Sequence, residues 1–596
     1  MPAGSRVPVW SLSTIYPGYE SDSYLSHRAE LTRGCATLLK KLSDGAALKE
    51  NPRKWLESSV KKLDRLSGLH ANLNAFIGCG YAVNTTDART LQELNALAEV
   101  ALPLQDAVVR FRSAVKSIRR QLPGIYKESA YCRKFRFFID EQLELADRQM
   151  SPEEENLASD LMRAGGAAWG RLQETVMSNL SWPWEGEERK TVVELRSLAM
   201  HKDRAVREKA YTRELEAWES VEAPIAAALN GVKGFAVTLN KRRHYASSLQ
   251  RSTQQARITP KTLDALIGAM EASLPMFRRY FTAKAKLLGL KKLAFYDLFA
   301  PVGMSDREWT FTEARDFIVD QFTTFSSDLG EFASLAFKEQ WIDARPRPGK
   351  VGGAFCEAAP LAGQSRILAN FDVTFDSLFT LAHELGHGYH GYVLKGQNNI
   401  HQDYPMTVAE TASIFCETIV FNQAMTSATE DEQLNILETY LQGSSQVIVD
   451  ILSRFRFESA VLERRATAEL SPDELKKLMI DAQVATYGAG LDRKKLHPYM
   501  WAAKPHYYSS DLSFYNFPYA FGLLFGLGLY SRYTEEGEKF PSRYRQLLLL
   551  TGQASANTVT SQAGCDIEQP AFWQGGIDVI AERVKEFEKL VARKTR

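Results

Sequence analysis

Apolar residues recur every three or four positions along most of the chain, the spacing that lines one face of an α-helix. In residues 151–180 the stripe is Leu157, Leu161, Ala164, Ala168, Leu172 and Val176. Ser151, Pro152 and Glu154 open it as N-cap, first-turn proline and capping-box glutamate. Ser471, Pro472 and Glu474 repeat the device, and Thr259 with Pro260 starts a further helix. The mixed charged and apolar stretches 203–240 and 577–594 read as amphipathic helices. Strand signals are few. "KVGGAFC" (350–356) and "SRILANF" (365–371) read as a hairpin with a Pro/Gly-containing loop, after the breakers Pro346, Pro348 and Gly349. This hairpin leads straight into a helix that begins near Ser377. The pattern predicts a mainly α fold with a small β-sheet beside that helix. "SWPWEGEERKT" (181–191) is the expected hinge between an N-terminal helical region, 1–185, and the remainder, 186–596.

One stretch has no hydrophobic rhythm. Leu512 to Ser531, "LSFYNFPYAFGLLFGLGLYS", carries no charge and contains a GxxxG at Gly522 and Gly526. Its length could span a bilayer, but Asn516, Pro518 and three tyrosines weaken that reading, and a buried wall of a large helical protein is expected instead. Composition agrees: 45% apolar and 24% charged residues describe an ordinary folded protein. Lys plus Arg, 73, nearly cancel Asp plus Glu, 72, so nothing favours a nucleic-acid or anionic-membrane partner. Six dispersed cysteines without a CxxC pair, and a first stretch lacking the apolar core of a secretory signal, predict a cytoplasmic protein.

The helix after the hairpin carries the chemistry. "LAHELGHGYH" (381–390) holds three of the ten histidines. His383, Glu384 and His387 spell HExxH: on a helix, residues four apart face one side and can chelate one ion, with Glu384 placed to act on a metal-bound water. Gly386 and Gly388 each weaken the helix by roughly 1 kcal/mol. Such glycines suit a place where another backbone or a substrate comes close. His390 shares the face but lies about 10.5 Å along the axis from His383, too far for both to hold one ion. The metzincin pattern fails as well, because it needs Gly at 390 and His at 393 where the chain has His390 and Val393.

A third ligand is therefore expected from a second helix, read over 403–425. Glu410 and Glu417 lie seven apart there, against Val408, Ala409, Ile414, Phe415 and Ile419. A carboxylate in such surroundings is paired or bound to metal. Glu410 is the expected ligand, and Glu417, two turns on, is expected to orient a ligand histidine.

"HELGHGYH" followed by "VAETAS" resembles the M3 family of zinc metallopeptidases, in particular its oligoendopeptidase F branch. The likeness includes "GKVGGAFC", "FYNFPYAFGLLFGLGLY" and, more weakly, "HKDRAVREKAY" and "LGLKKLAFYDLFAP", so it covers the chain from about residue 185 onward. The resemblance implies a clam-like helical molecule enclosing a deep channel over one zinc ion. It implies an endopeptidase that cuts short, unstructured peptides and spares folded proteins. It places the metal on His383, His387 and Glu410 and makes Glu384 the general base. It also implies a histidine and tyrosines facing the metal from "PHYYSSDLSFYNFPYAFG", here His506, Tyr515 and Tyr519, although Tyr507 and Tyr508 follow His506 directly and leave the choice of tyrosine open.

Peptide hydrolysis would then run with Glu384 taking a proton from water and passing it to the leaving amine, while Tyr519, Tyr515 or His506 donates to the oxyanion. Gly352, Gly353 and Ala354, in "VGGAFC", are expected to hold substrate backbone by strand addition. The alternative is a zinc carboxypeptidase on a similar scaffold, which would need a cation for the substrate's terminal carboxylate.

Overall fold

The computed structural model describes residues 7–303 and 307–595. Helices dominate, and the strands among the described residues are short. The local signals at helix starts behave as their chemistry requires. Ser471 and Glu474 form a reciprocal capping box at the head of the Pro472–Tyr487 helix. Ser151 and Glu154 do the same at 3.1 and 3.2 Å. Thr259 caps the Pro260–Leu287 helix, and the 203–240 and 577–594 stretches fall in the Arg204–Glu219, Glu222–Arg242 and Pro570–Lys594 helices.

The single stripe expected over 151–180 is broken. Gly165 leaves the helical conformation, with φ −103° and ψ −94°, and separates a Pro152–Ala164 helix from a Gly166–Asn179 helix. The break resets the phase. Leu172 and Val176 still pack on a core, but Leu157 and Leu161 are exposed and Ala158 is the buried residue on the earlier turn.

The proposed hinge at 181–191 is a β-hairpin. β1 (Ser181–Glu185) pairs antiparallel with β2 (Glu188–Thr191), and the Trp182 indole N–H donates to Glu216 at 2.9 Å. This bond ties the hairpin to the Arg204–Glu219 helix. By its internal contacts the chain forms two compact units. One comprises Met1–Asn156, Arg307–Ala424 and Arg532–Cys565; the other Leu157–Asp306, Met425–Ser531 and Asp566–Arg596. The first has a core around Leu56, Leu69, Phe111 and Phe135, and the second a core around Trp218, Val232, Phe457 and Trp501.

In the first unit β3 (Ile342–Asp343), β4 (Phe355–Ala359) and β5 (Gln364–Leu368) form a sheet in the order β3-β5-β4, with β4 at an edge. β4 and β5 are the expected hairpin, antiparallel from Phe355↔Leu368 to Ala359↔Gln364. The strand starts later than "KVGGAFC" suggests. Gly353 has φ +78°, which ends extended backbone before β4, and the Asn370 amide donates to the carbonyls of Val351 and Gly353 at 3.1 and 3.0 Å. Gly352, Gly353 and Ala354 thus form a pinned bend ahead of the edge strand and not part of it.

The uncharged stretch is a core helix. It begins at Phe517, and from Ala520 to Leu529 every residue is buried. Among the described residues no helix is long and apolar enough to cross a membrane.

Candidate active site

Thr374 starts the motif helix, Phe375–Leu394, by accepting the Ser377 N–H, and the Asp372 carboxylate accepts both hydroxyls, at 2.6 Å from Thr374 and 2.5 Å from Ser377. Two turns further on, the rings of His383 and His387 meet edge to face, with centroids 5.0 Å apart and planes at 79°. Both Nε2 atoms point at Glu410 Oε2, at 3.2 and 3.3 Å.

Glu410 arrives differently from the expected way. The 403–425 segment is not one helix: a short Met406–Ala409 turn ends at Glu410, whose ψ is 3°, and the Thr411–Ser427 helix starts after it. Ser413 Oγ donates to Glu410 Oε2 at 2.6 Å and fixes the carboxylate at the break. Glu417, on the helix that follows, accepts from His383 Nδ1 at 3.2 Å. One carboxylate therefore meets the face of the two histidines, and the other holds His383 from behind.

Gly386 makes this approach possible. A Cβ there would lie 2.5 Å from the Ala412 carbonyl oxygen and 2.6 Å from Ser413 Cα. The close neighbour is backbone, as expected from a glycine inside a helix. At Gly388 the neighbour is the Phe332 ring, 2.8 Å from the position of a Cβ.

Electrostatics follow the geometry. Burial alone would raise Glu410, but hydrogen bonds from His383 and His387 hold it far below the usual carboxylate range. Burial works against protonated His383, and the Glu410 and Glu417 carboxylates overcome it and raise the imidazole well above its ordinary value. Glu384 is only 6% exposed, its Oε2 has no hydrogen-bond partner among the described residues, and burial raises its pKa. His390 stays out of the group. It stacks on Tyr404 at 4.1 Å, meets Thr551 Oγ1 at 2.9 Å, and burial pushes it down to about 3.

The side chains of His383, His387 and Glu410 could hold a metal ion, since their ligand atoms all lie within 4.8 Å of one another. Two imidazole nitrogens and a carboxylate oxygen form a donor set suited to zinc, with the unused oxygen of Glu384 on the next residue. The metal and its neighbours fit.

The second unit carries the other predicted residues. His506 lies in a short 3₁₀ turn, Pro505–Tyr508, and stacks on Tyr515 at 5.8 Å. The Tyr519 hydroxyl donates to that of Tyr515 at 3.0 Å. Burial, reinforced by the charges of Arg454, Lys504 and Lys233, lowers His506 to about 3, so its ring is neutral. Tyr507 and Tyr508 are buried, whereas Tyr515 and Tyr519 are partly open to solvent. The open pair is the one matched to the family.

Sequence reasoning missed Ser413, the Asp372–Thr374–Ser377 cap and the break at Glu410. The cap had a readable signal, an Asx/Thr start before an apolar helical run. The break had none.

A helix-borne HExxH with a carboxylate from a second segment defines a metallopeptidase site. The profile described as peptidase family M3 matches residues 197–578, and one described as oligopeptidase F matches residues 120–182. The chain belongs to peptidase family M3, and the likeness extends further toward the N-terminus than the sequence motifs do. Group B oligopeptidase PepB of Streptococcus agalactiae is 26% identical over 471 residues, covering 77% of each chain. An oligoendopeptidase F homologue of Lactococcus lactis is 26% identical over 400 residues, 67% of this chain and 66% of that protein. The crystal structure of oligoendopeptidase F from Enterococcus faecium shares the fold, with a TM-score of 0.71 at 19% identity over 96% of this chain and 99% of that one.

Proposed function

We propose that this metallopeptidase is a zinc-dependent endopeptidase that hydrolyses internal bonds of short, unstructured peptides. The observation that carries the reading is the convergence of His383, His387 and Glu410 beside a buried Glu384 whose Oε2 has no partner among the described residues. The names of its relatives, oligopeptidase and oligoendopeptidase, favour internal cleavage over the carboxypeptidase alternative. Cytoplasmic residence fits the free thiols of all six cysteines.

When bound, zinc would supply Lewis acidity to the scissile carbonyl and make a water more acidic. Glu384 accepts a proton from the attacking water, a role suited to a carboxylate whose burial raises its basicity. It then delivers that proton to the leaving amine. Glu417 fixes the tautomer and orientation of His383 through Nδ1. His506, Tyr515 and Tyr519 serve as hydrogen-bond donors to the developing oxyanion. The backbone of Gly352, Gly353 and Ala354, and the outer edge of β4, hold the substrate's main chain. A deep channel of the kind implied by the family would confine substrates to flexible peptides.

An internally quenched peptide blocked at both ends tests the reading. The metal-loaded protein should cleave it at an internal bond, stop with a chelator and recover with one equivalent of zinc. Release of single residues only from a free C-terminus would establish the carboxypeptidase instead.

A further inference from the structure

Two stretches with family likeness, 201–211 and 288–301, take no part in the proposed reaction. Within the second compact unit they meet beside His497, around a cavity of about 240 Å³. One side is aromatic: Tyr211, Phe295, Tyr296 and Phe299. The other is charged. Arg196 pairs with Glu214 at 2.7 Å, and Arg204 and Arg207 share Asp297, each at 3.0 Å. Of these groups Arg196, Arg207 and Glu214 line the cavity itself, two guanidinium groups against one carboxylate.

Two of the lining side chains are almost fully buried and not fully satisfied. His497 is 1% exposed; its Nε2 lies 3.3 Å from Glu214 Oε1, and its Nδ1 has no hydrogen-bond partner among the described residues. Its ring is wedged between Tyr211 and Phe295, with centroids 5.7 and 5.2 Å away. Arg207 is 3% exposed, and its Nε–H likewise has no partner. Buried donors of this kind are uncommon in folded proteins, where such groups are nearly always paired. An aromatic cavity with a few convergent polar groups is the usual form of a small-molecule site.

We propose that this cavity is a second binding site, for a small aromatic monocarboxylate. The ring would lie among the aromatic walls, and the carboxylate would accept from Arg207 Nε–H. Charge selects an acid over a neutral ligand, because hydrogen bonds between ionised partners are the strong ones. The site is independent of the metal: its residues share none with the His383, His387 and Glu410 group.

Titration calorimetry of the metal-loaded protein with 3-phenylpropionate tests the proposal, with 3-phenylpropanol as the neutral counterpart. A ligand of this size should bind with a Kd of about 1 mM or tighter. The alcohol should bind about ten-fold more weakly. The acid's Kd should be unchanged after chelation of the metal. Ala199→Trp, at a half-buried lining position, should abolish binding while peptide hydrolysis without ligand stays normal. Phe299→Ala, which removes a wall without filling the space, should weaken it about five-fold or more. Absence of binding by the unaltered protein would overturn the site. So would binding lost with the metal, or binding undiminished in both folded variants.

Discussion

Gly386 lies against the backbone of Ala412 so closely that a Cβ would sit 2.5 Å from the Ala412 carbonyl oxygen. This contact sets the spacing between the helix of the two histidines and the segment that delivers Glu410. Gly386→Ala should force them apart, at an overpacking cost of about 1–3 kcal/mol. Zinc affinity and turnover should both fall by about ten-fold or more, with the helical circular dichroism retained. Zinc titration against a chromophoric chelator gives the answer; wild-type affinity would mean that the spacing tolerates a methyl group.

Glu410 and Glu417 should separate cleanly by metal affinity. Glu410 touches both imidazoles, whereas Glu417 reaches only His383 Nδ1. Loss of an outer carboxylate typically weakens metal binding about 10- to 100-fold. Glu417→Ala should fall in that range, and Glu410→Ala should leave almost no zinc after dialysis. Metal analysis of both variants that gave the opposite order would reverse the two roles.

Oxyanion donors should act on turnover and barely on affinity. Tyr515→Phe and Tyr519→Phe remove only hydroxyls, and His506→Ala removes the neutral ring. Loss of such a donor costs about 100- to 1000-fold in kcat with a small change in KM. Tyr508→Phe is the control: its hydroxyl is buried and has no hydrogen-bond partner among the described residues, so activity should stay near normal. Steady-state kinetics, with zinc content measured for each variant, would remove this segment from the mechanism if all four behaved alike.

The second unit should depend on the buried ion pair of Lys233 and Glu458. Lys233 Nζ lies 2.6 Å from Glu458 Oε1, with the side chains 1% and 3% exposed. Glu458→Ala strands a buried ammonium and should cost about 3–5 kcal/mol. Lys233→Met combined with Glu458→Gln leaves no buried charge and should recover much of that loss. Denaturant unfolding of the two variants distinguishes them; equal destabilisation would show that packing, and not charge, is what the pair contributes.

What was legible in the sequence was local chemistry. Ser471 with Glu474, Ser151 with Glu154 and the HExxH spacing each act within one or two helical turns, so a short window contains all the physics. The hairpin before the motif helix was equally local, although its strand begins at Phe355 because Gly353 adopts positive φ. The rest depends on distant partners. Gly165 breaks a periodic stripe that looked continuous, and the turn ending at Glu410 interrupts a helix of favourable composition. The compact units draw on three separate segments each, a pairing that no periodicity records. The cavity at His497 is likewise invisible in sequence, because its walls come from residues as far apart as Leu195 and His497.

The direct test of Glu384 as a base beside a metal held by three other side chains is Glu384→Gln, which keeps the size of the side chain and removes its basicity. Zinc content and turnover on the blocked quenched peptide should be measured on the same preparation. One zinc per chain with turnover reduced by about 100-fold or more is the predicted result. Zinc lost in proportion to activity, or turnover retained with zinc bound, would contradict it.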